Sequence, residues 1–112
     1  MVVTERLGDV LIVHVVGTVE RSHVEDFAAA LADATHRAEG PLLVSFLECT
    51  ALHPAGLSAV ENAWSALDDR FHVVVAPGSA ALETLQSSER RLPIKESFRH
   101  AVAAARGLAE TG

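Results

Sequence analysis

Two hydrophobic periods alternate along this chain, and the switches between them mark out its elements. Val10-Leu11-Ile12-Val13-His14-Val15-Val16 is nearly continuous in β-branched residues. A run of that kind predicts a strand covered on both faces. Leu42-Leu43-Val44-Ser45-Phe46 is a short apolar run, the signature of a buried strand, and Phe71-His72-Val73-Val74-Val75 reads as the next strand. Val2-Val3-Thr4 predicts a further strand, joined to the first run by a turn near Gly8-Asp9. Gly17 ends the first run.

Between these runs the period becomes helical. Val24, Phe27, Leu31 and Ala34 fall on one face, which Ala28 and Ala38 widen. Ser22 and Glu25 have the spacing of a capping box at its start. Glu39-Gly40-Pro41 stops the helix. Residues 47–52 read as a connecting loop. A second helix begins at Pro54, with Leu57, Val60, Trp64 and Leu67 on one face and Trp64 expected in the core. Proline suits a first helical position because the amide it lacks has no intrahelical partner there. Gly56, in the first turn, suggests close approach to the backbone from outside. Asp68-Asp69-Arg70 is a polar turn. Ser79 is placed to cap a short helix from Ala80 to about Ser87. Ser88-Glu89-Arg90-Arg91 is a polar connector, and Leu92-Pro93-Ile94 predicts a brief edge strand. A last helix spans about Glu96 to Arg106, with Phe98, Ala101, Val102 and Ala105 inward. The order β-β-α-β-α-β-α-(β)-α predicts an α/β fold: a mixed sheet of four to five strands, about four helices and right-handed crossovers.

Composition narrows the class without choosing a function. At 112 residues and 49% hydrophobic content, one domain with an ample core is expected. Net charge is −6, and no basic patch offers a footprint for nucleic acid. No apolar run approaches the ~18 residues that membrane insertion needs. The N-terminal stretch has no pattern of a signal peptide. Cys49 is the single cysteine, so no internal disulfide forms, and a reducing cytoplasmic location is expected.

The stretch Leu42 to Leu67 carries a resemblance. A strand, a loop and then His53-Pro54-Ala55-Gly56-Leu57 at a helix start are similar to the STAS domain, the family of anti-sigma factor antagonists. That family places Asp-Ser-(Ser/Ala/Thr)-Gly-Leu here, and a partner kinase phosphorylates the Ser. Gly56 and Leu57 match. The family's Asp is His53 and its acceptor Ser is Pro54, which has no hydroxyl. Gly17-Thr18-Val19-Glu20 matches the family's Gly-Glu-Leu-Asp, a loop beside the phosphorylation loop. Ser97-Phe98-Arg99-His100-Ala101-Val102 looks like its last-helix segment. The resemblance spans Asp9 to Ala105 and implies a STAS-like α/β fold.

It also implies a non-enzymatic, cytoplasmic regulatory module of a bacterial system, without a cofactor. The implied partner is an anti-sigma factor of the histidine-kinase-like ATPase class, or another STAS protein. The implied docking surface is Thr18, Val19 and Glu20 together with His53, Pro54, Ala55, Gly56, Leu57 and Ser58. With Pro54 in place the phosphoryl switch is expected to be absent. Two alternatives follow from relatives: an accessory subunit of a membrane transporter ATPase, and a small-ligand sensor for nucleotides or lipids.

Other chemistry is weighed on residue type and spacing. His14, His23, His36, His53, His72 and His100 show no helical ligand spacing, so scattered histidines are expected in place of a metal site. Cys49 and His53 have the residue types of a nucleophile and base, but an ordinary buried cysteine is the expected reading. Glu20 reads first as a solvated loop carboxylate. His53 either caps its helix or offers one hydrogen bond to a partner. Ser58 is the nearest hydroxyl to position 54; an exposed helical serine is expected there ahead of a displaced phosphosite. Val2 and Val3, with the outer side of the strand containing Leu11, offer an edge for a homodimer.

Overall fold

The computed structural model describes residues 1–88 and 92–107. Its strands are β1 (Val2–Leu7), β2 (Val10–Val15), β3 (Gly17–Val19), β4 (Leu42–Phe46), β5 (Cys49–Leu52), β6 (Phe71–Val75) and β7 (Ile94–Lys95). Its helices are α1 (Val24–Arg37), α2 (Leu57–Leu67), α3 (Ala80–Gln86) and α4 (Phe98–Ala105). The main sheet has the order β1-β2-β4-β6-β7. β1 runs antiparallel to β2, and every other neighbouring pair is parallel. This is the STAS-like mixed α/β fold that the alternation of periods and the resemblance anticipate.

The near-continuous apolar strands are explained by cover on both faces. Side chains alternate across a strand. Leu11, Val13, Val15, Leu42, Val44, Phe46, Phe71, Val73 and Val75 share one core with Phe27 and Leu31 of α1, Val60 and Leu67 of α2, and Leu85 of α3. Val10, Ile12, Leu43 and Val74 face the other way and meet Ala101 and Ala105 of α4. Each fully buried large side chain contributes about 1.5–3 kcal/mol. Trp64 is half-buried and packs against the first core. His14 shares the α4 side, where its Nε2 lies 2.8 Å from the Glu5 carboxylate and its ring stacks on Phe98 at 6.3 Å. That pairing accommodates a polar ring among apolar neighbours.

Four details differ from the sequence reading. The strand containing Leu11, β2, has no outer side for a homodimer edge, because it lies between β1 and β4 with Val10, Leu11, Ile12, Val13 and Val15 buried. Residues 47–52 are not simply a loop, because Cys49–Leu52 forms β5, which pairs in parallel with β3 in a separate two-stranded sheet. The capping box lies upstream of Ser22 and Glu25. Glu20 and His23 cap each other reciprocally around a 3-10 turn over Arg21–His23, which leads into α1. The late edge strand is Ile94–Lys95, while Pro93, which has no amide hydrogen, only accepts from the Val73 amide at 3.3 Å. Of the polar connector, Glu89, Arg90 and Arg91 lie outside the described residues.

Candidate functional site

The small β3/β5 sheet builds one end of the molecule. β2 ends at Val15, and Gly17, at φ +86°, turns the chain into β3. The Gly17 amide donates to the Glu48 carbonyl at 3.0 Å, and the His53 amide donates to the Val19 carbonyl at 2.8 Å. Between these, the Thr18 and Thr50 hydroxyls meet at 2.5 Å. β5 is also held from α3, where the Thr84 hydroxyl donates to the Leu52 carbonyl at 2.8 Å. The loop after β3 and the start of α2 are thus tied together by backbone bonds.

The start of α2 is a tight, self-satisfied turn. His53 sits in extended backbone and its Nδ1 accepts the Ala55 amide at 3.0 Å. Pro54 occupies the first position of a 3-10 turn over Pro54–Gly56. The Gly56 amide donates to the His53 carbonyl at 2.8 Å, and the Leu57 amide donates to the Pro54 carbonyl. Side-chain capping of this kind answers the orphan amides of a helix start.

The residues singled out from sequence do come to one end, but not all of them face out. Thr18, Glu20, Pro54, Ala55 and Ser58 are exposed, and His53 and Leu57 are half-buried. Val19 and Gly56 are buried. Gly56 is not open to an external group: a β-carbon there would lie 2.9 Å from Leu52 Cδ1 and 3.6 Å from the Phe27 ring. The space that a side chain would take at this point is occupied from inside by Leu52. Glu20 is not a plain solvated carboxylate, because it takes part in the cap with His23. Thr50 and His23 belong to this end and carry no sequence signal that singles them out.

Cys49 and His53 do not form a catalytic pair. Cys49 is buried, its Sγ donates to the Ala51 carbonyl at 3.3 Å, and burial pushes its thiol pKa up. A protonated, buried thiol is a poor nucleophile. The His53 Nδ1 is engaged by Ala55. Among the described residues no three His, Cys, Asp or Glu side chains converge as metal ligands. Among the same residues no helix is long and apolar enough to cross a membrane.

No family model matches the sequence, and comparison with curated proteins gives no match. Solved structures do match. An anti-sigma factor antagonist from Mycobacterium paratuberculosis superposes with a TM-score of 0.82 at 17% identity, over 95% of this chain and 93% of that one. The anti-sigma factor antagonist SpoIIAA in its unphosphorylated form gives 0.69 at 14% identity, over 96% and 99%. A structure from Thermotoga maritima, described as a candidate anti-sigma factor antagonist, gives 0.72 at 12% identity, over 94% of each chain. The fold is therefore the one these antagonists share.

Proposed function

We propose that this chain is a non-enzymatic regulatory module that docks on an anti-sigma factor of the histidine-kinase-like ATPase class, without a phosphoryl switch at position 54. The observation that carries the reading is the joined end: β3 and β5 bind Thr18–Glu20 to the His53–Ser58 turn as one surface. The antagonist fold of the matched structures supports the choice of partner class.

The absence of the switch follows from chemistry. Pro54 has no hydroxyl to accept a phosphoryl group. A phosphate added at such a surface brings charge that must be desolvated on docking, and this breaks complexes. Without an acceptor at 54, the surface stays competent whatever the ATP supply. Ser58, exposed in the first turn of α2, is an alternative hydroxyl.

Titration against the anti-sigma factors of the source organism, with and without ATP, tests this. Tight binding that ATP does not alter is the expected result. Failure of every anti-sigma factor to bind would overturn it.

A second reading, a small-ligand sensor, is favoured by one feature. A recess of about 300 Å³ lies beside β3, floored by Val15, Val19 and Phe27 and edged by Thr18, His23 and Asp26. An apolar floor with a few polar groups is the usual make-up of a ligand site. A melting temperature raised by a nucleotide or lipid would support that reading.

A further inference from the structure

The hydrogen bonds of the α2 entry turn leave one donor unengaged. The His53 amide is bonded to Val19, the Ala55 amide to His53 Nδ1, the Gly56 amide to His53 and the Leu57 amide to Pro54. Pro54 has no amide hydrogen. Ala55, Gly56 and Leu57 have no polar side chain. The His53 ring is the remaining group, and its Nδ1 acts as an acceptor at 3.0 Å. A ring nitrogen that accepts carries no proton, so in the neutral imidazole the proton sits on Nε2. Nε2 has no partner among the described residues.

We propose, on the docking reading above, that the His53 Nε2–H is the specificity-determining donor of this surface. It selects a partner that sets an acceptor oxygen, carbonyl or carboxylate, against it. Docking desolvates this half-buried ring further, and a donor buried without an acceptor is penalised. A partner surface built to donate at this point is therefore rejected. The capping bond holds the donor in place, so one side chain both closes the turn and presents the polar hydrogen.

Two substitutions separate these roles. In His53→Asn the Oδ1 stands in for Nδ1 and keeps the cap, while nothing replaces Nε2. In His53→Gln the amide nitrogen stands in for Nε2, while the cap is lost. Binding is read against the anti-sigma factor that binds wild type, and thermal midpoints are read on the free proteins. The expected result is an Asn variant with a wild-type midpoint and an affinity lower by about tenfold or more. The Gln variant should bind within a few-fold of wild type with a lowered midpoint. An Asn variant that binds as tightly as wild type would overturn the donor role and leave the docking reading intact. Long-range proton–nitrogen spectra of the free protein at mildly alkaline pH give a check that needs no partner. They should show His53 protonated at Nε2, and protonation at Nδ1 would contradict the proposal. Failure of wild type to bind any anti-sigma factor, with the expected tautomer present, would remove the docking reading and the donor's role with it.

Discussion

A methyl group on Gly56 would press on Leu52, which is itself buried, and would touch the Phe27 ring. Crowding of a packed core typically costs about 1–3 kcal/mol. Gly56→Ala should therefore lower stability by about that amount in a urea titration. A neutral result would mean that Leu52 moves aside freely. Cys49 makes the opposite kind of test. Burial raises its thiol pKa and excludes reagents, so native protein should react with an aromatic disulfide far more slowly than unfolded protein. Rapid labelling of the native thiol would reopen the nucleophile reading. Both residues were visible in the sequence, but their surroundings were not. Glycine in a first helical turn is compatible with an outside ligand or an inside neighbour, and only the packing of Leu52 and Phe27 decides between them.

At the scale of elements, legibility follows length and period. The helices on the Phe27–Leu31 and Val60–Leu67 faces, and the three buried apolar strands, repeat their signal over enough residues to be read directly. β3 and β5 do not. They have three and four residues, mix polar Thr18 and Thr50 with apolar neighbours, and become strands only because each finds the other. The displaced cap has a similar cause. Ser22 and Glu20 both have capping side chains, and the 3-10 turn after β3 selects Glu20. Position 84 tests how β5 is held. Thr84→Val removes the bond to the Leu52 carbonyl at nearly constant shape, and should cost about 0.5–1.5 kcal/mol. Amide exchange should speed up in β5 and in the His53 amide bonded to β3. Unchanged exchange there would show that α3 does not brace the surface.

At the scale of the whole molecule, one half-buried histidine on a central strand ties stability to pH. His72 lies on β6, between β4 and β7, and is half-buried. Burial lowers its pKa below the ordinary 6.5, the nearby Lys95 charge acts in the same direction, and Asp69 opposes them. The unfolded chain therefore takes up this proton first as pH falls. The neutral imidazole's share of stability is complete above about pH 6.5 and is lost as pH falls through the folded value. His72→Gln should flatten that part of the stability–pH curve relative to wild type. An identical acid dependence in the two proteins would contradict this assignment.

The fold was legible because its strands and helices alternate in period along the chain. The candidate surface was legible only through resemblance, since its two segments lie more than thirty residues apart and nothing in their spacing joins them. The β3/β5 pairing supplies the join. Intact mass after incubation with the bound anti-sigma factor and ATP, for wild type and for Pro54→Ser, decides whether this joined surface docks without a phosphoryl switch. Wild type should gain no mass, and the Ser variant should gain one phosphate and lose binding. A phosphate on wild type, at Ser58 or Thr50, would show that the surface carries a switch.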